Sequence, residues 1–195
     1  MKERLQGAFR RYGLPRRVLC DNGPPWGATG QGEYTPLSVW LIRLGISVSH
    51  GRPYHPQTQG KLERFHRTLK VELIGCRQMR DLAHCQQLFD PWRDLYNHKR
   101  PHEALELGTP ASRYRASPRG FPESIPAFDY GEDANVRVVQ KNGQITWHSR
   151  PFKIPRAFIG QRVVLRPTLL DGCFDVFFCH QHVASIDLNE KAQPD

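Results

Sequence analysis

Arg16-Arg17-Val18-Leu19-Cys20-Asp21-Asn22-Gly23 reads as a short, largely apolar strand that runs straight into a turn sequence. Upstream of it, Leu5, Ala8, Phe9 and Tyr12 recur at helical spacing, and Gly13 follows as a stop. Downstream, a Pro/Gly-rich loop from Pro24 to Gly32 leads to Thr35-Pro36, an N-cap followed by proline at the first helical position. Leu37, Trp40, Leu41 and Leu44 predict the buried stripe of that helix, and Gly45 its end. Ile46-Ser47-Val48-Ser49 then alternates as a second strand. The order helix, strand, helix, strand, helix predicts an α/β layer with helices packed on a sheet. Two strands make a poor sheet, so the sheet is expected to be incomplete.

The next stretch, Gly51-Arg52-Pro53-Tyr54-His55-Pro56-Gln57-Thr58-Gln59-Gly60, is broken by two glycines and two prolines and predicts a loop. A long helix is expected from about Lys61, with Leu62, Phe65, Leu69 and Leu73 as its apolar stripe. Another helical stretch runs from about Asp81 to Asn97, with Leu82, Cys85, Phe89, Trp92 and Tyr96 on one face. Pro91 sits inside it, which predicts a kink or two shorter helices, the second capped by Asp90. Residues 116–133 are proline-rich without a period and read as a linker. Beyond them the period changes to two. Val136–Val139, Ile145–His148, Arg162–Arg166, Phe174–Phe178 and His182–Asp187 predict about five short strands, with turns at Lys141-Asn-Gly and Asp171-Gly. So many short strands in so few residues suggest a small barrel. The expected organisation is an α/β domain over 1–115, a linker over 116–133 and a small β domain over 134–189.

The net charge of +9 is unevenly placed: residues 1–120 hold 20 Lys/Arg against 10 Asp/Glu, and residues 121–195 hold 8 against 9. A basic half of this kind is the electrostatic footprint of a protein that meets nucleic-acid phosphates. No apolar run approaches the ~20 residues of a membrane-spanning helix, and the charged start, MKERLQGAFRRYG, has no apolar signal segment. A soluble, cytoplasmic protein is the expectation. The five cysteines are odd in number and contain no Cys-x-x-Cys pair, so they read as small apolar residues or free thiols rather than as a disulfide framework or zinc site.

Two carboxylates carry the chemistry. Asp21 ends a predicted strand and Glu63 lies in the first turn of a predicted helix, 42 positions later. Open α/β sheets place sites outside their strand ends, where a strand end and a helix start can share a metal ion. Hard carboxylate oxygens suit Mg²⁺, and paired ions serve phosphodiester chemistry. Taken singly, Asp21 in Asp-Asn-Gly is a turn former and Glu63 a favourable charge for the helix dipole. Helical spacing groups Glu63 with Arg67 and Lys70 away from the apolar stripe, and Lys61 adds a cation at the helix start. An ordinary solvated face with a Glu63–Arg67 ion pair is the bland alternative. In the preceding loop Arg52, Tyr54, His55 and Gln57 are suited to stacking on bases and holding phosphates.

Four stretches together resemble the integrase core of bacterial insertion-sequence transposases. They are Cys20-Asp21-Asn22-Gly23, the run from His55 through Gly60-Lys61-Leu62-Glu63-Arg64-Phe65-His66 to Leu69, the run Tyr96-Asn97-His98-Lys99-Arg100-Pro101-His102 to Leu105, and Thr109-Pro110. The resemblance is strong over about residues 1–115 and weaker over the C-terminal β module. It implies an RNase H-like fold in which an Asp, Asp, Glu triad holds Mg²⁺ or Mn²⁺, with Asp21 as the second Asp and Glu63 as the Glu. It implies further that Arg100 and His102 fix the fold, and that the C-terminal module is an SH3-like β domain assisting the binding of DNA ends. DNA is the expected partner, together with further copies or a full-length transposase. The family's first Asp lies tens of residues before the Asp-Asn-Gly turn. Here 20 residues precede Asp21, and Glu3 is the only acid among them. The resemblance therefore implies an N-terminally truncated chain without strand-joining activity of its own. A non-catalytic DNA-binding or regulatory fragment, or a decayed remnant, stands as the alternative.

Overall fold

The structure is a computed structural model that describes residues 1–20, 23, 25, 26, 34–50 and 60–190. It divides into two compact units, one of Met1–Gly51 with Ser117–Asp195, the other of Arg52–Ala116. The chain has mixed α/β content with open sheets.

The first unit begins with α1 (Lys2–Tyr12), β1 (Arg17–Cys20), α2 (Pro36–Arg43) and β2 (Ser47–His50). β1 and β2 pair in parallel, with Arg17 opposite Ser47 and Cys20 opposite His50. The entry to α2 is a capping box. Ser38 N–H donates to Thr35 Oγ1 at 3.3 Å, and Thr35 N–H donates to Ser38 Oγ at 2.7 Å. Gly45, at φ +70°, turns the chain out of the helix into β2. The sequence predicts one buried stripe on α2, but Ser38, Val39, Trp40, Leu41 and Ile42 are all buried in succession. A helix enclosed all round is packed on several sides. Phe9 of α1 stacks on Trp40 at 5.9 Å. The buried cluster also continues into the C-terminal strands through Phe158 and Phe178.

Those strands are β3 (Asn135–Val138), β4 (Gln144–Trp147), β5 (Arg150–Lys153), β6 (Arg162–Pro167), β7 (Cys173–Phe178) and β8 (Gln181–Asp187). They form an antiparallel sheet in the order β3-β6-β7-β8 and a separate β4–β5 hairpin. About five strands were expected in this region and six are present among the described residues; the additional one is β5. Its Pro151 removes a ladder donor, which hides the strand from a sequence reading, but a two-stranded hairpin tolerates this at an edge. Its turn is built from His148 at φ +46° and Ser149 at φ +60°, residues that lack the Asn-Gly signature of such turns.

Residues 116–133, read from the sequence as a linker, contain no helix or strand but are anchored to the α/β segment. Arg119 Nη2 donates to Leu44 O at 2.7 Å and Nη1 to Pro15 O at 3.2 Å, while Leu14 N–H donates to Arg119 O at 2.7 Å. Ser117 Oγ donates to Leu14 O at 2.7 Å. One guanidinium thus ties the end of α2 to the approach to β1.

The second unit holds α3 (Gly60–Leu69), which continues as a π-helical turn over Lys70–Ile74, and α4 (Leu82–Asp94), which continues likewise over Leu95–Lys99. A short 3₁₀ turn (Glu103–Leu105) and α5 (Pro110–Arg113) follow. Of the kink or two shorter helices expected at Pro91, the split does not occur: α4 runs through Pro91 as one helix. The cap is Asp81, whose Oδ1 accepts from His84 N–H at 2.7 Å. Asp90 is not a cap; it accepts from Gln86 Nε2 at 2.8 Å and pairs with Arg93 at 3.0 Å. Leu62, expected in the apolar stripe of α3, is exposed, whereas Leu73 is buried.

Candidate active site

The orientation of α3 is set by its packed side. Phe65 is half-buried against α4, with ring centroids 5.8 Å from Trp92 and 5.3 Å from Tyr96. Trp92 stacks on Tyr96 at 5.1 Å, and His102 meets Tyr96 edge-on at 4.9 Å. Aromatic contacts of this kind contribute about 0.5–1.5 kcal/mol each beyond area burial. Glu72 lies seven residues after Phe65, two turns along and so on the same side of the helix. Its carboxylate accepts from Trp92 Nε1 at 3.1 Å and pairs with Arg100. The hydrogen bond from Arg100 holds the Glu72 carboxyl below the usual glutamate range. The π-helical turn that carries Glu72 closes with Gly75 N–H donating to Lys70 O at 2.7 Å.

This network assigns a structural task to Arg100 and His102, which lock the segment after α4 onto α3. Glu72 was not anticipated from the sequence. Its spacing from Phe65 was the available signal, but a carboxylate needs a partner to be recognised, and Arg100 is 28 residues away.

With one side of α3 fixed, Lys61, Glu63, Arg67 and Lys70 all lie exposed on its remaining surface. The i,i+4 ion pair between Glu63 and Arg67 does not form. Among the described residues Glu63 has no ion pair or side-chain hydrogen bond, and the same holds for Lys61, Arg67 and Lys70. This carboxylate and these cations are left open to solvent rather than consumed by pairing among the described residues.

Asp21, Arg52, Tyr54, His55 and Gln57 lie outside the described residues. The chain leaves β1 at Cys20 and β2 at His50, register partners at the carboxyl edge of the two-stranded sheet. That edge is where open α/β sheets build their sites. Among the described residues no three His, Cys, Asp or Glu side chains group as a metal site. No helix of the described residues is long and apolar enough to cross a membrane.

Acid should loosen this support. The folded-state pKa of Glu72 is depressed, so its pairing stabilises the protein above the ordinary glutamate range. That stabilisation is lost as pH falls through the depressed value. Glu72→Gln is expected to remove the part of the acid sensitivity that falls below about pH 4.5, measured as helical circular dichroism against pH. An acid transition unchanged by the substitution would exclude Glu72 as its source.

Comparison with known proteins gives the class first. Residues 44–110, which carry Glu63, Arg100 and His102, match the integrase core domain. A protein of the Burkholderia multivorans insertion element IS407 is 29% identical over 126 residues, covering 64% of this chain and 42% of that protein. A mouse intracisternal A-particle Pol-related polyprotein is 40% identical over 77 residues, 38% of this chain and 8% of the polyprotein. A mouse protein named IgE-binding protein is 42% identical over 71 residues, 35% of this chain and 11% of its own length. Together these matches support a transposase of the integrase-like DDE type. More particularly, residues 134–194 match the C-terminal domain of the IS481 family transposases. The chain spans less than half the length of each of these relatives.

Proposed function

We propose that this chain is part of a DDE transposase that cleaves DNA and joins its strands by metal-dependent phosphodiester transfer. The observation that carries this reading is the free Glu63 carboxylate on α3, set among unpaired cations inside the segment that matches an integrase core. In this reading residues 1–115 contribute to an RNase H-like core and residues 134–189 form an SH3-like module.

The donor chemistry of Glu63 fits Mg²⁺ or Mn²⁺. It is a hard oxygen ligand, exposed and not consumed by an internal ion pair. Asp21 and Glu63 would hold the metal, which when bound activates an attacking oxygen and stabilises the leaving one. The chain's own part is positional. Lys61, Arg67 and Lys70 hold phosphates along α3, and Arg52, Tyr54, His55 and Gln57 contact the DNA beside them. The locked aromatic side of α3 fixes which face of the helix carries Glu63.

The test is Mn²⁺ binding by calorimetry in the presence of duplex DNA. Saturable binding is expected, lost in both Asp21→Asn and Glu63→Gln. Binding that survives both substitutions would refute the assignment. DNA binding with no metal response in the unsubstituted chain would instead support a non-catalytic DNA-binding role.

A further inference from the structure

β1 and β2 are strands of four residues each, and neither has a second ladder partner among the described residues. A parallel pair this small does not fix its own register. A slip of one residue would take Cys20, 4% exposed, out of the core and invert the face from which the chain continues to Asp21. Contacts outside the ladder must therefore hold the two strands level.

The half-buried guanidinium of Arg119 makes such contacts. Nη1 donates to Pro15 O at 3.2 Å, two residues before β1, and Nη2 donates to Leu44 O at 2.7 Å, three residues before β2. A guanidinium is a planar fork whose donors keep a fixed separation, so it sets one carbonyl against the other in a way a lysine cannot. The base of the side chain is held to the same stretch. Leu14 N–H donates to Arg119 O at 2.7 Å, Arg119 N–H donates to Ser117 Oγ at 3.2 Å, and Ser117 Oγ donates to Leu14 O at 2.7 Å. Gly45 leaves room for the fork, because a Cβ there would lie 2.7 Å from Arg119 Nη2. The two acceptors stand 104 and 75 residues from Arg119 along the chain. A second anchor of the segment after residue 116, the Arg10–Glu123 ion pair at 2.7 Å, joins it to α1 rather than to either strand.

We propose that Arg119 is a positioning residue for the metal site: by levelling β1 and β2 it fixes the strand end from which Asp21 reaches the ion. The proposal rests on the reading of Asp21 and Glu63 as metal ligands. The test is calorimetric Mn²⁺ binding by the full chain with duplex DNA, in variants whose folding is checked by circular dichroism. Arg119→Lys keeps the charge and can hold one of the two carbonyls but not both. It is expected to weaken Mn²⁺ binding about tenfold or more, and Arg119→Ala at least as much. Glu123→Ala, which removes the exposed anchor to α1, is expected to leave Mn²⁺ binding unchanged, so the loss of any contact in this segment does not reproduce the effect. Binding undiminished in Arg119→Lys would overturn the proposal, even where Arg119→Ala fails to fold. Equal weakening in Glu123→Ala would overturn it too. An unsubstituted chain that binds no Mn²⁺ would remove the metal site itself, and the role of Arg119 with it.

Discussion

Replacing Phe158 with Ala is expected to destabilise its unit by about 3–5 kcal/mol, and to do so for the N-terminal α/β segment and the C-terminal strands together. Phe158 is fully buried. Its ring lies 4.8 Å from Tyr34, just before α2, and 5.0 Å from Phe178 on β7. It therefore sits where the two segments share one core, which a chain-order division at the proline-rich stretch would not suggest. Tyr34 supports the same junction by donating to His182 O at 2.9 Å. Tyr34→Phe removes that single hydrogen bond and is expected to cost about 1 kcal/mol. The check is urea unfolding followed separately through reporters in the two segments, Trp40 in α2 and Trp147 in β4. Coincident transitions that shift together in Phe158→Ala are expected. Two transitions, with only the Trp147 signal displaced, would show that the segments fold independently.

The parts of the fold legible in the sequence are those where local chemistry and tertiary packing agree. Thr35-Pro36 marks the start of α2, and the structure places a complete capping box there. The apolar run of β1 and the alternations of β2 and the β6–β8 meander were readable because each strand meets a core. Legibility ended where packing overrode the local signal. Pro91 predicted a kink or two shorter helices, and α4 continues through it unsplit. The bonds of Trp92 to Glu72 and of Tyr96 to Phe65 and His102 hold the following turn in place. The expected stripe on α2 was too narrow, because a hydrophobic face cannot reveal how many neighbours will cover the rest. β5 was lost to Pro151 and to a turn made by His148 and Ser149. Of the candidate site, the exposed face of α3 followed from helical spacing. Its support by Glu72 and Arg100 did not, since pairing across 28 residues has no local signature.

Duplex DNA binding by this chain is expected to weaken steeply with salt. If Arg52, Lys61, Arg67 and Lys70 each neutralise a phosphate, the logarithm of affinity falls with the logarithm of salt with a slope of about −3.6. A fourfold rise in salt then costs roughly 100-fold in affinity. Substituting Lys61, Arg67 and Lys70 with Gln keeps good helix formers on α3 while removing three of those contacts. The slope is expected to shallow by about 3, measured by fluorescence anisotropy across a salt series without metal. Glu63→Gln separates phosphate binding from metal binding on the same helix face. It removes no cation, so the metal-free slope should stay as it was. What it should erase is the gain in DNA affinity on adding Mg²⁺, because the carboxylate that would share the ion is gone. The two outcomes fail independently. A triple variant with an unchanged slope would place the DNA elsewhere than on α3. A Mg²⁺ gain that survives Glu63→Gln would leave the DNA surface standing and remove Glu63 from the metal site.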